Sequence, residues 1–275
     1  MKKLNFAVCL FGAVIFTASL CAASEANRLL AEKYFQNLYS SKYSDAISAY
    51  LQDNYKEHQP GVGEGKAGLA DYMKKQLADY PNLTVTIHNA IVQGDYVFLH
   101  VEEKLSAEKK MARGELFRLE NGKIAEHWCV AQEVPPEAAE MMFAKAVITP
   151  GSTAAADNTE KLKENLKKTF DNYDLKAAEE GTTERYIQHS PGAPSGLAGF
   201  TGFLSMMKDQ WVKMTWEPKH TVAEGDILVL QGLYIAEPGG PSHCFDIIRV
   251  TADGKKDEHW DVCESVKEED IGKIF

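Results

Sequence analysis

The sequence predicts an α+β protein: two tandem cone-shaped domains, each a curved antiparallel sheet packed by N-terminal helices around a cavity. Three observations predict it. Blocks of sequence recur at a fixed spacing. Within each copy, helix-period segments come first and strand-like segments follow. The triplet Glu-His-Trp, at 126–128 and again at 258–260, ends both copies.

The repeat comes first because it sets the domain count. NYKEHQP (54–60) and RYIQHSP (185–191) are 131 residues apart, as are KAGLADYM and LAGFTGFL, QGDYVFLH and EGDILVLQ, and ELFRL and DIIRV. One extra residue in the turn TADGKK, against ENGKI, then brings the two Glu-His-Trp triplets into step. The resulting organisation is a leader at 1–23, domain 1 at 24–134, a linker with a short helix at 135–156, and domain 2 at 157–275.

The leader carries Lys2 and Lys3, an apolar run over 4–20 and small residues at Cys21-Ala22-Ala23. This reads as a signal peptide cut after Ala23, so the expected location is periplasmic or secreted, with no stable membrane insertion. Cleavage removes two of 30 basic residues and none of the 40 acidic ones, taking the net charge from −10 to −12. Such a charge argues against nucleic acid as a partner. Cys129, Cys244 and Cys263 remain, which allows at most one intramolecular disulfide.

Each copy opens with an amphipathic helix, 24–40 and 157–173, with Ser24 and Asp157 or Asn158 as candidate N-caps. A short helix follows, 44–51 and 175–181. The helical stretch leads into a turn rich in Pro and Gly that carries His58 or His189. A third helix is expected at 69–80 and 197–211. Four strands then close copy one, at 83–92, 96–105, 112–120 and 123–133, with counterparts in copy two. Gly63, Gly65 and Gly68 fit a dinucleotide-binding glycine pattern, but the strand–helix–strand context it needs is missing.

The last hairpin of copy two can be registered from its turn. Asp253-Gly254 favours a tight hairpin. Centring there pairs Ile248 with His259, Asp246 with Asp261 and Cys244 with Cys263. Alternation then puts Cys244, Asp246, His259, Asp261 and Cys263 on one face, and Arg249, Glu258 and Trp260 on the other. In copy one, pairing Glu115 with Cys129 leaves Gly122 central in a three-residue turn. Two facing carboxylates push one pKa up, and a neighbouring imidazole can share the proton, which suits acid/base work on a carbonyl compound. Cys244 and Cys263 form either a cross-strand disulfide or, with His259 and Asp261 joining Cys263, the less favoured alternative of a metal site. Trp128 and Trp260 are expected to pack the two sheets together as an intramolecular pseudo-dimer, with a homo-oligomer as the other outcome.

Taken together, the loop histidines, the Gly-Asp strand, the DIIR strand and the DGK-to-EHWD hairpin resemble the SnoaL-like polyketide cyclase family, whose fold is that of nuclear transport factor 2. The resemblance covers nearly all of the chain after the leader. It implies an intramolecular aldol-type reaction without a cofactor, with an aspartate on the penultimate strand as acid/base. Carried over, the catalytic set is Asp246, His259, Asp261 and His189. The matching positions in copy one are Glu115, His127, Cys129 and His58, with the strand pair His100 and Gln231 also expected to contact a ligand. No metal is assigned. Copy two keeps both aspartates, so chemistry is expected there. The alternatives are a small-molecule binder without chemistry and a protein-interaction module using the sheet face.

Overall fold

The computed structural model describes the backbone of residues 5–210 and 213–275, with side chains from residue 22 onward in that span. The expected leader therefore lies partly outside the described residues, as does Trp211, the expected end of the third helix in copy two. Among the described residues, no helix is long and apolar enough to cross a membrane.

Domain 1 comprises α1 (Asn5–Leu38), α2 (Tyr43–Tyr50), β1 (Leu51–Glu57), α3 (Gly65–Asp79), β2 (Thr84–Gln93), β3 (Tyr96–Lys104), β4 (Lys110–Glu120) and β5 (Lys123–Glu133). A short α4 (Ala139–Met142) follows. Domain 2 repeats the order: α5 (Ala154–Asn172), α6 (Leu175–Glu180), β6 (Thr182–Gln188), α7 (Leu197–Gln210), β7 (Lys213–Glu224), β8 (Ile227–Glu237), β9 (Gly240–Val250) and β10 (Lys256–Ser265), then α8 (Ile271–Ile274). Each domain has one five-stranded sheet, ordered β1-β5-β4-β3-β2 and β6-β10-β9-β8-β7.

Several local expectations change. The stretches before His58 and His189 are strands, not helical segments. β1 and β6 pair parallel to β5 and β10, beside an otherwise antiparallel sheet. Their burial alternates, with Leu51, Tyr55 and Glu57 inward in one and Thr182, Tyr186 and Gln188 inward in the other. The period of two holds over the last three residues of each strand and is broken by exposed Asp53 and Glu184, where the pairing register shifts. The glycine pattern at 63–68 thus follows a strand after all. β1 and β2 nevertheless lie at opposite edges of the sheet, so no parallel crossover forms. Ser24 lies inside α1 rather than at its N-cap. In domain 2, Thr153 takes the N-cap position and its hydroxyl donates to Asp157 Oδ2 at 2.7 Å.

The final hairpins adopt the expected register: Asp246 pairs Asp261, Cys244 pairs Cys263 and Glu115 pairs Cys129. Both turns differ from expectation. In copy two the Thr251 N–H donates to the Lys255 carbonyl, so the loop is the three residues Ala252, Asp253 and Gly254, of which only Gly254 has positive φ, and not a two-residue turn at 253–254. In copy one the turn is the shorter. Glu120 pairs Lys123, and Asn121 and Gly122 both have positive φ, which is a two-residue turn of the primed type. The odd residue is absorbed beyond it: Leu119 pairs Ile124 but Arg118 pairs Glu126, leaving Ala125 as a bulge. Domain 2 does the same, with Val250 opposite Lys256, Arg249 opposite Glu258, and Asp257 bulged.

The two sheets pack face to face through one apolar cluster that draws on both domains. Phe98, Leu116, Trp128 and Val130 come from domain 1, and Val229, Phe245, Ile247, Trp260 and Val262 from domain 2. This is the intramolecular pseudo-dimer. Each large side chain fully buried there contributes on the order of 2 kcal/mol. The contact is not symmetric at its centre. Gly114 and Phe245 are equivalent positions, and a Cβ on Gly114 would stand 2.7 Å from Cδ2 of the Phe245 ring. The missing side chain in one domain makes room for the large one in the other.

Candidate functional site

Domain 2 contains a cavity of about 360 Å³ between its helices and the concave face of its sheet. Apolar walls come from Phe170, Phe200, Phe203 and Met214, and polar groups from Tyr234, Asp246, Lys256, His259 and Asp261. The buried apolar residues of this domain fall into two clusters rather than one, as expected where a hollow separates them.

Asp246 is the hub. Tyr234 Oη donates to its Oδ2 at 3.0 Å, and His259 Nε2 lies 3.1 Å from its Oδ1. The other ring nitrogen of His259 sits 2.9 Å from Gln188 Oε1. That oxygen also accepts from the backbone N–H groups of His189 and Ser190, which fixes it as an acceptor. His259 Nδ1 must therefore carry hydrogen, which leaves Nε2 facing Asp246. Asp261, opposite Asp246 in the hairpin, has its pKa raised, by burial first and by the charge of Asp246 as well, with His259 opposing. One carboxyl is thus held by specific donors while burial pushes the pKa of the other upward, an asymmetry of the kind that can separate a base from an acid.

Cys244 and Cys263 form a disulfide, S–S 2.09 Å, in the cavity wall. The sulfur of Cys263 is thereby committed, which removes it as a thiolate for the alternative metal site. Among the described residues, no group of three or more His, Cys, Asp or Glu is arranged to hold a metal ion.

The equivalent space in domain 1 is filled. Arg113, at the position of Cys244, is buried with its Nη1 3.2 Å from Glu103 Oε2, its Nη2 3.0 Å from Cys129 Sγ and its Nε on Glu115. His127 is held between Glu115, 2.6 Å from Nε2, and Glu57, 3.1 Å from Nδ1. Burial alone would lower the His127 pKa, but the two carboxylates raise it to about 9, so the ring is a fixed imidazolium. Burial likewise works against ionised Glu115, yet Arg113 and His127 hold it below the ordinary carboxylate value. Burial pushes the Cys129 thiol well up, so it is no ready nucleophile. Glu115, His127 and Cys129 do come together, but as a closed ion network.

Four expected ligand contacts lie elsewhere. His189 stacks on Trp260 at 4.4 Å, with Nε2 2.9 Å from Glu258 and Nδ1 facing the Met141 carbonyl. His58 stacks on Trp128 at 4.7 Å, with Nε2 3.0 Å from Glu126 and Nδ1 facing the Lys273 carbonyl. Both loop histidines sit on the outer face of their sheets. Each holds the segment that follows the other domain's last strand. His100 and Gln231 also point toward the inter-domain side: His100 lies against Phe143 and is 3.3 Å from Asn89, and Gln231 bridges His220 and His243. The reason is alternation. Leu99 and Leu230 point into the domain cores, so their neighbours must point away.

Lys256 is the cavity residue that sequence reasoning missed. It is 2% exposed, with its Nζ 3.7 Å from the Phe200 ring centroid and 5.8 Å from that of Tyr186. Strict alternation from His259 would turn it outward, and the bulge at Asp257 turns it back in. A register shift next to a hairpin turn, set by the odd loop length, was the signal that could have found it. Tyr234, the second donor to Asp246, has no sequence signature beyond its place on β8.

The model of the SnoaL-like domain matches residues 31–127 and 164–259. Similar solved structures include a candidate polyketide cyclase from Bacillus cereus, 18% identical, covering 43% of this chain and 83% of that one, TM-score 0.37. A candidate SnoaL-like polyketide cyclase from a Jannaschia species is 16% identical and covers 46% and 95%, TM-score 0.36. TsrD from Streptomyces laurentii is 18% identical and covers 39% and 89%, TM-score 0.35. No curated protein matches the chain. With both matched stretches taken together, the chain belongs to the SnoaL-like family and carries two copies of its domain.

Proposed function

We propose that domain 2 binds a small, partly apolar carbonyl compound and moves a proton on it without a cofactor, in a reaction of the aldol, lyase or isomerase type. The observation that carries this reading is the pair of facing carboxylates in one apolar cavity, Asp246 tied to Tyr234 and His259, and Asp261 raised by burial. Asp246 is the base that takes a proton from the carbon next to the carbonyl. Asp261 in its acid form donates to the carbonyl oxygen, and His259 stabilises charge on Asp246. His189, stacked outside the cavity, is given no catalytic role here, and domain 1 serves as scaffold. We further propose export through the leader, a reading supported by the Cys244–Cys263 disulfide, since such bonds persist in oxidising compartments. Fractionation with N-terminal sequencing of the expressed protein tests it; a cytoplasmic, uncut chain would refute it.

The chemical reading is tested with cyclohexanone in D2O, following loss of its α-protons by NMR. Wild type accelerates exchange over buffer, and Asp246→Asn loses on the order of 10²-fold or more of that acceleration. Rates at the buffer level in wild type, with no small molecule retained in native mass spectra, would overturn it. Retained ligand without exchange would leave a binding protein. The sheet-face interaction reading loses ground because those faces are buried against each other.

A further inference from the structure

We propose that Lys256 is a covalent site for carbonyl ligands: its amine forms an imine with an aldehyde or ketone held in the domain 2 cavity. The inference deepens the reading above and rests on the same cavity, but it concerns a different atom and a different bond.

Four observations point to it. Lys256 lines the cavity, yet among the described residues its ammonium makes neither an ion pair nor a hydrogen bond. Its neighbours are the faces of Phe200 and Tyr186, which support a cation without neutralising it. Packing does not require a lysine there. The equivalent residue in domain 1, at the same bulge, is Ile124, fully buried in the apolar core. An unpaired buried lysine costs stability, so its presence opposite an isoleucine in the sister domain calls for a use. Finally, burial lowers its pKa to about 7 against the opposing charge of Asp246, so a neutral amine is available near neutrality.

The step balances without any redox partner. The nitrogen lone pair attacks the carbonyl carbon, a proton passes from nitrogen to the new hydroxyl, and a carbinolamine results. That hydroxyl leaves as water once protonated, with Asp261 or Asp246 placed in the same cavity to supply the proton; the nitrogen lone pair forms the C=N bond, and the N–H proton of the resulting iminium returns to the carboxylate to leave the imine. Water reverses the sequence and frees the amine.

Folded full-length protein is treated with benzaldehyde and sodium cyanoborohydride at neutral pH, then analysed by intact mass and peptide mapping. The expected result is a single benzyl group, found on Lys256 before any surface lysine reacts. The map is read on wild type, so it does not depend on a variant folding. Lys256→Met, which mimics the aliphatic residue of domain 1, should lose that first modification and keep its near-UV circular dichroism. Labelling confined to surface lysines in folded wild type would overturn the proposal, as would a first benzyl group that persists in Lys256→Met. Labelling of Lys256 without cyclohexanone exchange would sink the acid/base reading and leave the imine site standing. Exchange in wild type without Lys256 labelling would do the reverse.

Discussion

The interiors of the two domains answer the same problem in opposite ways. Both cones bring polar side chains from β4 and β5, or β9 and β10, to a concave face under helices. Domain 1 fills that space with charge. Glu57, Glu103, Arg113, Glu115 and His127 satisfy one another out of water. Domain 2 replaces those partners one by one: Gln188 for Glu57, Tyr234 for Glu103, Cys244 for Arg113 and Asp246 for Glu115. Removing the guanidinium leaves a hollow, and the disulfide holds its wall. The difference teaches that one fold can be a sealed scaffold or can keep an open pocket, decided by whether a long cation occupies its centre.

The largest expected effect comes from breaking the sealed side. Arg113→Met leaves Glu103 without its cation and Glu115 short of one, and should cost about 3–5 kcal/mol in urea unfolding. Tyr234→Phe in domain 2 leaves His259 on Asp246 and should cost about 1.5 kcal/mol. Equal losses would mean that the two interiors are not built differently. Next in size is the disulfide. Its sequence separation is 19, and Cys263→Ser, or reduction, should lower stability by about 2–4 kcal/mol. An unchanged midpoint after complete reduction would remove its structural role.

The smallest effect is a difference in pH slope. Folded His127 keeps its proton up to about 9, against an ordinary value of 6.5. Its contribution to stability is therefore fully present below 6.5 and lost as pH rises through 9. Folded Lys256 loses its proton near 7, against an ordinary 10.5. Its penalty is present below 7 and lifts as pH rises toward 10.5. Between those values the two groups pull stability in opposite directions. His127→Gln should make stability rise more with pH, and Lys256→Met should make it fall more. Urea midpoints measured across this range check both, and parallel slopes in the two variants would contradict the assignment.

Much of the candidate site was legible in the chain. Centring on Asp253-Gly254 yields the right register because the three-residue loop 252–254 and the bulge at Asp257 offset each other, and that register put Cys244, Asp246, His259, Asp261 and Cys263 on one face. The loop histidines were misplaced because β1 and β6 look polar and irregular until their parallel partners are known. His100 and Gln231 were misplaced because β3 and β8 are buried on both faces. A strand apolar on both sides does not reveal which side is the cavity. Lys256 was hidden by one bulged residue, since a single insertion reverses every side chain beyond it.

By itself, the sequence determined that the chain is a doubled α+β domain, which strands form the last hairpins, and that only the second copy keeps two facing aspartates. These follow from periodicity and turn chemistry, which act over a few residues. Only the tertiary structure decided which interior is hollow, which lysine enters it, and that both tryptophan faces are spent on holding the domains together. Those outcomes depend on side chains far apart in sequence competing for the same volume, and no local pattern records who wins.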